Sequence, residues 1–387
     1  MHNPIYLDNN ATTRVAPEVV EEMLPYFSEL YGNPSSMYSF SGKVAGKIHE
    51  ARERVAKFIG AKPEEIIFTS CGTESNNTAI WAAVNANPEK RHIVTSRVEH
   101  PAIKNHFEYL GKQGYEVTFV GVDSEGRLDM DQFYNSLRPD TAVVSLMWAN
   151  NETGVIFPVE ELSREVCSRN IVFHTDAVQS AGKIPINVAD TGISMLSISG
   201  HKLHAPKGVG ILYVRKGTKF MPMMIGGHQE HGRRGGTENV ASIIGLGKAC
   251  EMAGEYVDSG KEAALAQLRD RLENGLLERI PNAKVNGLGA ERVPNTTNIA
   301  FEFVEGEAIL LHMNEFGICA SSGSACTSGS LEPSHVMRAM GVPFTSAHGS
   351  IRFSLSRYST AEEVDFVLEK MPPIIDNLRQ MSPYWKA

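Results

Sequence analysis

The chain has 387 residues, 42% hydrophobic and 21% charged, with no low-complexity tract or internal repeat; this excludes general disorder and makes two domains the default expectation. A formal net charge of −8 excludes a general nucleic-acid or acidic-membrane surface, which needs a basic face. No run of about 18 apolar residues occurs, and the start MHNPIYLDNNATT has neither a basic nor an apolar leader segment, so a cytoplasmic protein with no membrane and no nucleic acid as partner is expected.

In chain order, the first clear element is the helix GKVAGKIHEARERVAKFIG, where Val44, Ile48, Ala51, Val55 and Phe58 form a stripe that should face a sheet. Seven strands follow, at 66 to 70, 92 to 96, 116 to 122, 142 to 148, 171 to 176, 195 to 199 and 208 to 214, separated by helical patterns. That alternation predicts an α/β fold with a large, mostly parallel sheet. From about 237 to 280 the pattern turns to long helices, followed by NTTNIAFEF, a helix near 306 to 316, GSIRFSLSR and a terminal helix. The expected division is residues 13–259 as a large domain, with 1–12 and 260–387 forming a smaller α+β domain.

Chemistry-bearing residues recur where apolar runs end. In SMLSISGHKLHAPKGVG, Lys202 follows a buried strand with Ser199 and His201, where open α/β sheets bind ligands. A desolvated lysine there suits Schiff-base chemistry; the alternative is a surface loop rich in His and Lys. IVFHTDAVQ places Asp176 and Gln179 after another strand, fitting a carboxylate against a pyridine nitrogen and an amide on a phenolic oxygen, or plain helix capping. IIFTSCGTESNN offers a Gly turn, Thr73, Ser75 and a helix start for a phosphate, though simple capping fits too. It is neither a Walker loop nor a dinucleotide fingerprint. His100 in VEHPAIKN suits ring stacking and proton transfer, or a structural role, and Asn151 in ANNETG is a further polar group on the same edge.

Five cysteines, with no C-x-x-C pair and no zinc spacing, are expected to be reduced. Cys326 stands apart in SSGSACTSGS, a run of small residues with nothing to bury it, and suits an exposed nucleophile; Cys71, Cys167, Cys250 and Cys319 read as core. Arg352 in GSIRFSLSR is a candidate clamp for a substrate carboxylate, with Arg357 its rival. In GGHQEHGRRGGTEN, His228 and His231 lack a third metal ligand, and an anion-facing loop with Thr237 at a helix start fits better.

Together YLDNNATT, GNPSS, FTSCGTESNN, EHPA, ANNETG, HTDAVQ, SGHKLHAPKG, GRRGGTEN, SSGSACTSGS and IRFSLSRY resemble the cysteine desulfurases, most nearly the nitrogen-fixation (NifS) type among the class V aminotransferase-like enzymes. The resemblance runs nearly end to end. It implies the aspartate aminotransferase-like fold type I of pyridoxal 5′-phosphate (PLP) enzymes and a homodimer with PLP at the subunit boundary. It also implies that Lys202 is the Schiff-base lysine, Asp176 the pyridinium partner, Gln179 the partner of the phenolic oxygen and His100 the stacking, proton-transferring residue. Gly72, Thr73, Ser199 and His201 would hold the phosphate, with Thr237 arriving from the neighbouring subunit. Asn151 would lie near ring and substrate, Arg352 would bind the substrate carboxylate, and Cys326 would be the nucleophile.

The activity so implied takes sulfur from L-cysteine, giving L-alanine and a Cys326 persulfide for an iron–sulfur scaffold protein, in nitrogenase or housekeeping cluster assembly. In it the freed Lys202 amine removes the α-proton, His100 delivers a proton near the substrate thiol and the Cys326 thiolate attacks the substrate sulfur. Cys326 is also a candidate transient iron–sulfur ligand. A selenocysteine lyase, an aminotransferase and an iron–sulfur carrier without catalysis are the alternatives.

Overall fold

The computed structural model describes residues 4–322, 333–383 and 385. The N-terminal strand β1 (Ile5–Tyr6) pairs far along the chain, as described below. The seven strands that follow form one sheet: β2 (Ile66–Thr69), β3 (His92–Ser96), β4 (Glu116–Val120), β5 (Thr141–Met147), β6 (Val172–Asp176), β7 (Met195–Ser199) and β8 (Gly210–Val214). Their spatial order is β2-β8-β7-β6-β5-β3-β4. β8 is antiparallel to both of its neighbours and the remaining pairs are parallel, so the mostly parallel expectation holds with one reversed strand.

Alternation along these strands shows why both faces are covered. Ile66 and Phe68 join one hydrophobic cluster and Ile67 the other; Leu196 and Ile198 join the first, Met195 the second. The second face is roofed by the helices Gly72–Ala86 and Pro101–Lys112 through Ala79, Ile80, Ala83, Ile103 and Phe107. The first carries the helices Ser39–Ile59 and Val240–Asp258. The expected stripe on Ser39–Ile59 is buried at Val44, Ile48, Ala51 and Val55, but packs chiefly on Val240–Asp258 rather than on the sheet. Phe58 is only partly buried, and Ala56 and Ile59 close the stripe instead.

A second sheet has the order β12-β13-β10-β9, from β9 (Ala283–Val285), β10 (Thr296–Phe301), β12 (Ser321–Ser322) and β13 (Ser350–Ser354). β11 (Ile318–Cys319) pairs in parallel with β1. Leu7 lies in the cluster of this region with Leu272, Phe301, Phe353 and Met371, and Asp8 bridges to Ser354. Val336, Met337, Met340 and Ala347 pack instead into the large cluster. The N-terminal segment therefore crosses from the second sheet to the edge of the first.

Candidate active site

The carboxyl ends of β2, β3, β5, β6 and β7 lie on one side of the large sheet, and a cavity of about 430 Å³ lies at their tips, where such sheets place ligands. Asp176, the last residue of β6, is buried at its floor. Asn76 Nδ2 donates to its Oδ2 at 2.7 Å and the Val178 amide to its Oδ1 at 3.0 Å, which fixes the plane of the carboxylate. Three residues after β7, Lys202 closes a single 3-10 turn and donates to the carbonyl oxygens of Asn10 and Ala11, the latter at 2.8 Å.

His100 caps the helix Pro101–Lys112: its Nδ1 accepts the Ala102 amide at 3.1 Å. A backbone N–H only donates, so Nδ1 carries no proton and Nε2 is the nitrogen left for exchange. Burial holds its pKa below the ordinary histidine range, against the nearby Asp176 charge.

At the other end of the cavity the helix Gly72–Ala86 begins. Cys71 takes the Glu74 amide on its sulfur at 3.5 Å and the Ser75 amide on its carbonyl at 3.1 Å, while Gly72 and Thr73 line the cavity at the helix amino terminus. A Cβ on Gly72 would meet Val178 Cγ2 at 3.0 Å and Ser199 Cβ at 3.2 Å, so only glycine lets this terminus approach Ser199 without displacement. His201 shares this end; burial, then the Lys202 and Lys207 charges, push its pKa down to about 4. Ser75 does not face the cavity: it is buried and shares a 2.7 Å contact with Thr69 Oγ1. Thr237 is also elsewhere, in a separate cavity with Phe68 and Arg234.

The opposite wall comes from distant parts of the chain. Arg352, on β13, donates to Asp8 Oδ1 at 2.7 Å and to the Asn151 carbonyl at 3.0 Å, and its buried Nε has no hydrogen-bond partner among the described residues. Asn151 and Gln179 line the cavity too, the latter with Nε2 on the Asn10 carbonyl at 3.1 Å. Arg357 lies outside it, stacked on Tyr256. Sequence reasoning gave no role to Asp8, Asn10, Asn76, Glu152 or Lys183, although the first four lie within the motifs YLDNNATT, FTSCGTESNN and ANNETG. Among the described residues no group of three or more His, Cys, Asp or Glu is placed to hold a metal.

Buried walls, a fixed carboxylate, a lysine, a histidine with one open nitrogen and a helix terminus with unpaired backbone N–H groups suit a flat anionic ring at one end and a small carboxylate at the other. The aminotransferase class-V family model matches residues 5–367. A cysteine desulfurase of Nostoc sp. is 58% identical over 98% of this chain and 95% of its own length. The cysteine desulfurase NifS of Azotobacter vinelandii is 57% identical over 99% of this chain and 95% of its own. A solved NifS-like protein superposes with a TM-score of 0.90 at 39% identity, over 97% of this chain and all of its own. The chain belongs to the cysteine desulfurases of the aminotransferase class-V family.

For a cysteine desulfurase the thiols matter most. Cys326 lies outside the described residues, but Ser321 and Ser322 before it line the cavity, and Ser334 after it donates to Glu152 Oε2 at 2.6 Å. Glu152 belongs to the same cavity wall, and burial raises its pKa to about 7. Of the cysteines expected in the core, only Cys250 is buried, with its thiol pKa pushed up by burial. Cys167 is exposed at the end of a short surface helix, and Cys71 and Cys319 are partly exposed.

Proposed function

We propose that this cysteine desulfurase holds pyridoxal 5′-phosphate through Lys202 and takes the sulfur of L-cysteine onto Cys326, releasing L-alanine. The observation that carries the reading is the meeting of Lys202, Asp176 and the Gly72–Ala86 helix terminus in one cavity of about 430 Å³, within the range of small-molecule sites. The residues fit the cofactor: Asp176 suits the pyridine nitrogen, Gln179 the phenolic oxygen, and Gly72, Thr73, Ser199 and His201 the phosphate. When bound, PLP supplies an electron sink for the substrate's α-carbon.

The chain's own groups do the rest. Arg352 and Asn151, which both line the cavity, take the substrate carboxylate. The Lys202 amine removes the α-proton once the substrate has replaced it, and His100 exchanges a proton at Nε2 close to the substrate thiol. The Cys326 thiolate then attacks the substrate sulfur: a sulfur–sulfur bond forms, the carbon–sulfur bond breaks, and its electron pair stays on carbon, which is protonated to the methyl group of alanine.

The working assembly is a homodimer. Thr237 lies away from the cavity of its own chain and serves the neighbour's phosphate, and Phe27, Tyr31, Met221, Met224 and Ile225 offer exposed apolar area for such an interface. Residues 13–259 form a large domain, and 1–12 with 260–387 a small one. Among the described residues no helix is long and apolar enough to cross a membrane, consistent with work in the cytoplasm. The persulfide passes to an iron–sulfur scaffold protein; the likeness to the Azotobacter enzyme supports nitrogenase cluster assembly as the setting.

The test is alanine and sulfide release from L-cysteine under reductant, native against Cys326→Ala, with the PLP colour followed throughout. Both products should fall at least about 100-fold, as expected for loss of a nucleophile, with colour retained. Undiminished turnover in the variant would move the sulfur chemistry away from Cys326.

A further inference from the structure

A second lysine beside the cavity has no part in the steps above. Lys183, one helical turn's spacing after Gln179, sends its Nζ to Gln179 Oε1 at 2.5 Å and to Asn10 Oδ1 at 3.1 Å. The identity of the Gln179 amide atoms follows from its other partner. The Asn10 carbonyl only accepts, so the atom facing it at 3.1 Å is Nε2, and Lys183 meets the oxygen. One N–H of Nε2 then remains for the cavity that Gln179 lines. Burial and the charges of Lys202 and Arg352 hold the Lys183 pKa well below the ordinary lysine value.

Asn10 is the other half of the device. It is 2% exposed, and its side chain uses every hydrogen-bonding capacity it has: Nδ2 reaches Thr296 Oγ1 at 2.9 Å and the Asn151 carbonyl at 3.2 Å, while Oδ1 accepts from Lys183 and from Asn295 Nδ2 at 3.1 Å. Its carbonyl accepts from both Gln179 and Lys202, and its amide donates to Ser354 Oγ at 2.9 Å. One residue thus joins the lysine turn, the Asn151 turn and strands β10 and β13 of the second sheet.

We propose that Lys183 and Asn10 are positioning residues of the reaction: they lock the Gln179 amide with Nε2 turned into the cavity as a donor to the phenolic oxygen of the cofactor. This rests on the cofactor reading above. A turned amide would present an oxygen to an oxygen, and the hydrogen bond would be lost.

The experiment compares Lys183→Met, Gln179→Ala and the double variant by two readouts: the dissociation constant of PLP from reconstituted apoprotein, and the pH midpoint of the visible absorbance of the holoenzyme. Each single variant should weaken PLP roughly three- to tenfold. Each should also move the midpoint upward by roughly half a unit to one unit, because the lost donor favoured negative charge on the phenolic oxygen. If Lys183 acts through Gln179, the double variant is no worse than Gln179→Ala alone. Native-like values in Lys183→Met, or effects that add in the double variant, would overturn the proposal. Lys183→Gln keeps an N–H donor and serves if the methionine variant fails to fold; it should keep the midpoint nearer native than Gln179→Ala does, and failure to do so counts against the proposal equally. Native protein that neither binds PLP nor shows a visible band would instead remove the cofactor reading itself.

Discussion

The two walls of the cavity are built differently. The lysine wall consists of strand ends of one sheet: Asp176 terminates β6, Ser199 terminates β7, and His100 and Gly72 follow β3 and β2 within a few residues. The arginine wall is assembled from Asp8 near the amino terminus, the Asn151 turn and Arg352 on β13, with Asp8 and Arg352 separated by 344 positions. A strand end is held by a backbone ladder that any single side chain barely disturbs. The arginine wall joins segments far apart in the chain: Arg352, on the paired strand β13, is held by the Asp8 side chain and the Asn151 carbonyl. Changes on the first should therefore reach the chemistry, whereas changes on the second should reach substrate affinity.

The largest expected effect lies on the lysine wall. Lys202→Ala removes the amine at the tip of β7 and should lower kcat by about 10⁴-fold, the upper range for loss of a positioned acid–base group, with the fold intact by thermal unfolding. A loss of less than tenfold would show that another base serves the site and that the wall is not where the chemistry resides.

This asymmetry also explains what the sequence disclosed. Lys202, Asp176 and His100 were legible because each follows an apolar β run, and the end of such a run in an α/β sheet is where ligands bind. From residue pattern alone Arg352 was one of two arginines in a strand-like stretch, and only the family resemblance chose between them; the Asp8 partner that separates it from Arg357 depends on a pairing that no local pattern encodes. Asn10 and Lys183 are ordinary residue types in ordinary contexts, and their roles arise from seven hydrogen bonds to distant segments. The stripe on Ser39–Ile59 named a buried face but not its partner, since helical periodicity is the same against a helix as against a sheet. Cys167 was misplaced because burial of cysteine is a tendency of the residue type, and its short helix turns that position outward.

The sheet beneath the lysine wall carries a polar row that gives a smaller, pH-dependent effect. His174 on β6 lies fully buried between Ser145 Oγ at 2.8 Å and Ser197 Oγ at 2.9 Å, on β5 and β7, and burial pushes its pKa down to about 3. The unfolded chain therefore binds a proton here between pH 6.5 and 3 that the folded chain refuses. Stability from this group is complete above pH 6.5 and is lost as the pH falls, by about 2 kcal/mol at pH 5. Glu99, also buried and raised to about 8, works in the opposite sense, its contribution being lost as the pH rises from 4.5 toward 8. Acid loss thus comes from buried histidines first, and below the ordinary carboxylate range also from ion-paired carboxylates such as Glu74 and Glu273, whose pKa values are lowered. Urea unfolding at pH 7 and pH 5 should show a decline in native protein that is flatter by about 2 kcal/mol in His174→Asn; an equal decline in both would mean that the row takes up the proton without cost.

The smallest effect tests the arginine wall directly. Asp8 holds Arg352 Nη2 at 2.7 Å, the Asn151 carbonyl holds Nη1 at 3.0 Å, and Nε is buried with no partner among the described residues. Two anchors on the terminal nitrogens fix the plane of the guanidinium, and a plane is what bidentate recognition of a carboxylate requires. In Asp8→Ala one anchor remains and the group can swing about it, so part of the substrate's binding energy is spent on ordering the arginine again. The KM for L-cysteine should rise about tenfold, the scale of one charge-assisted hydrogen bond, while kcat stays within about twofold, because Lys202, His100 and Asp176 keep their positions on the strand ends. A fall in kcat with unchanged KM would mean that the two walls are coupled through Asp8, and that the arginine wall positions the reacting atoms as well as the carboxylate.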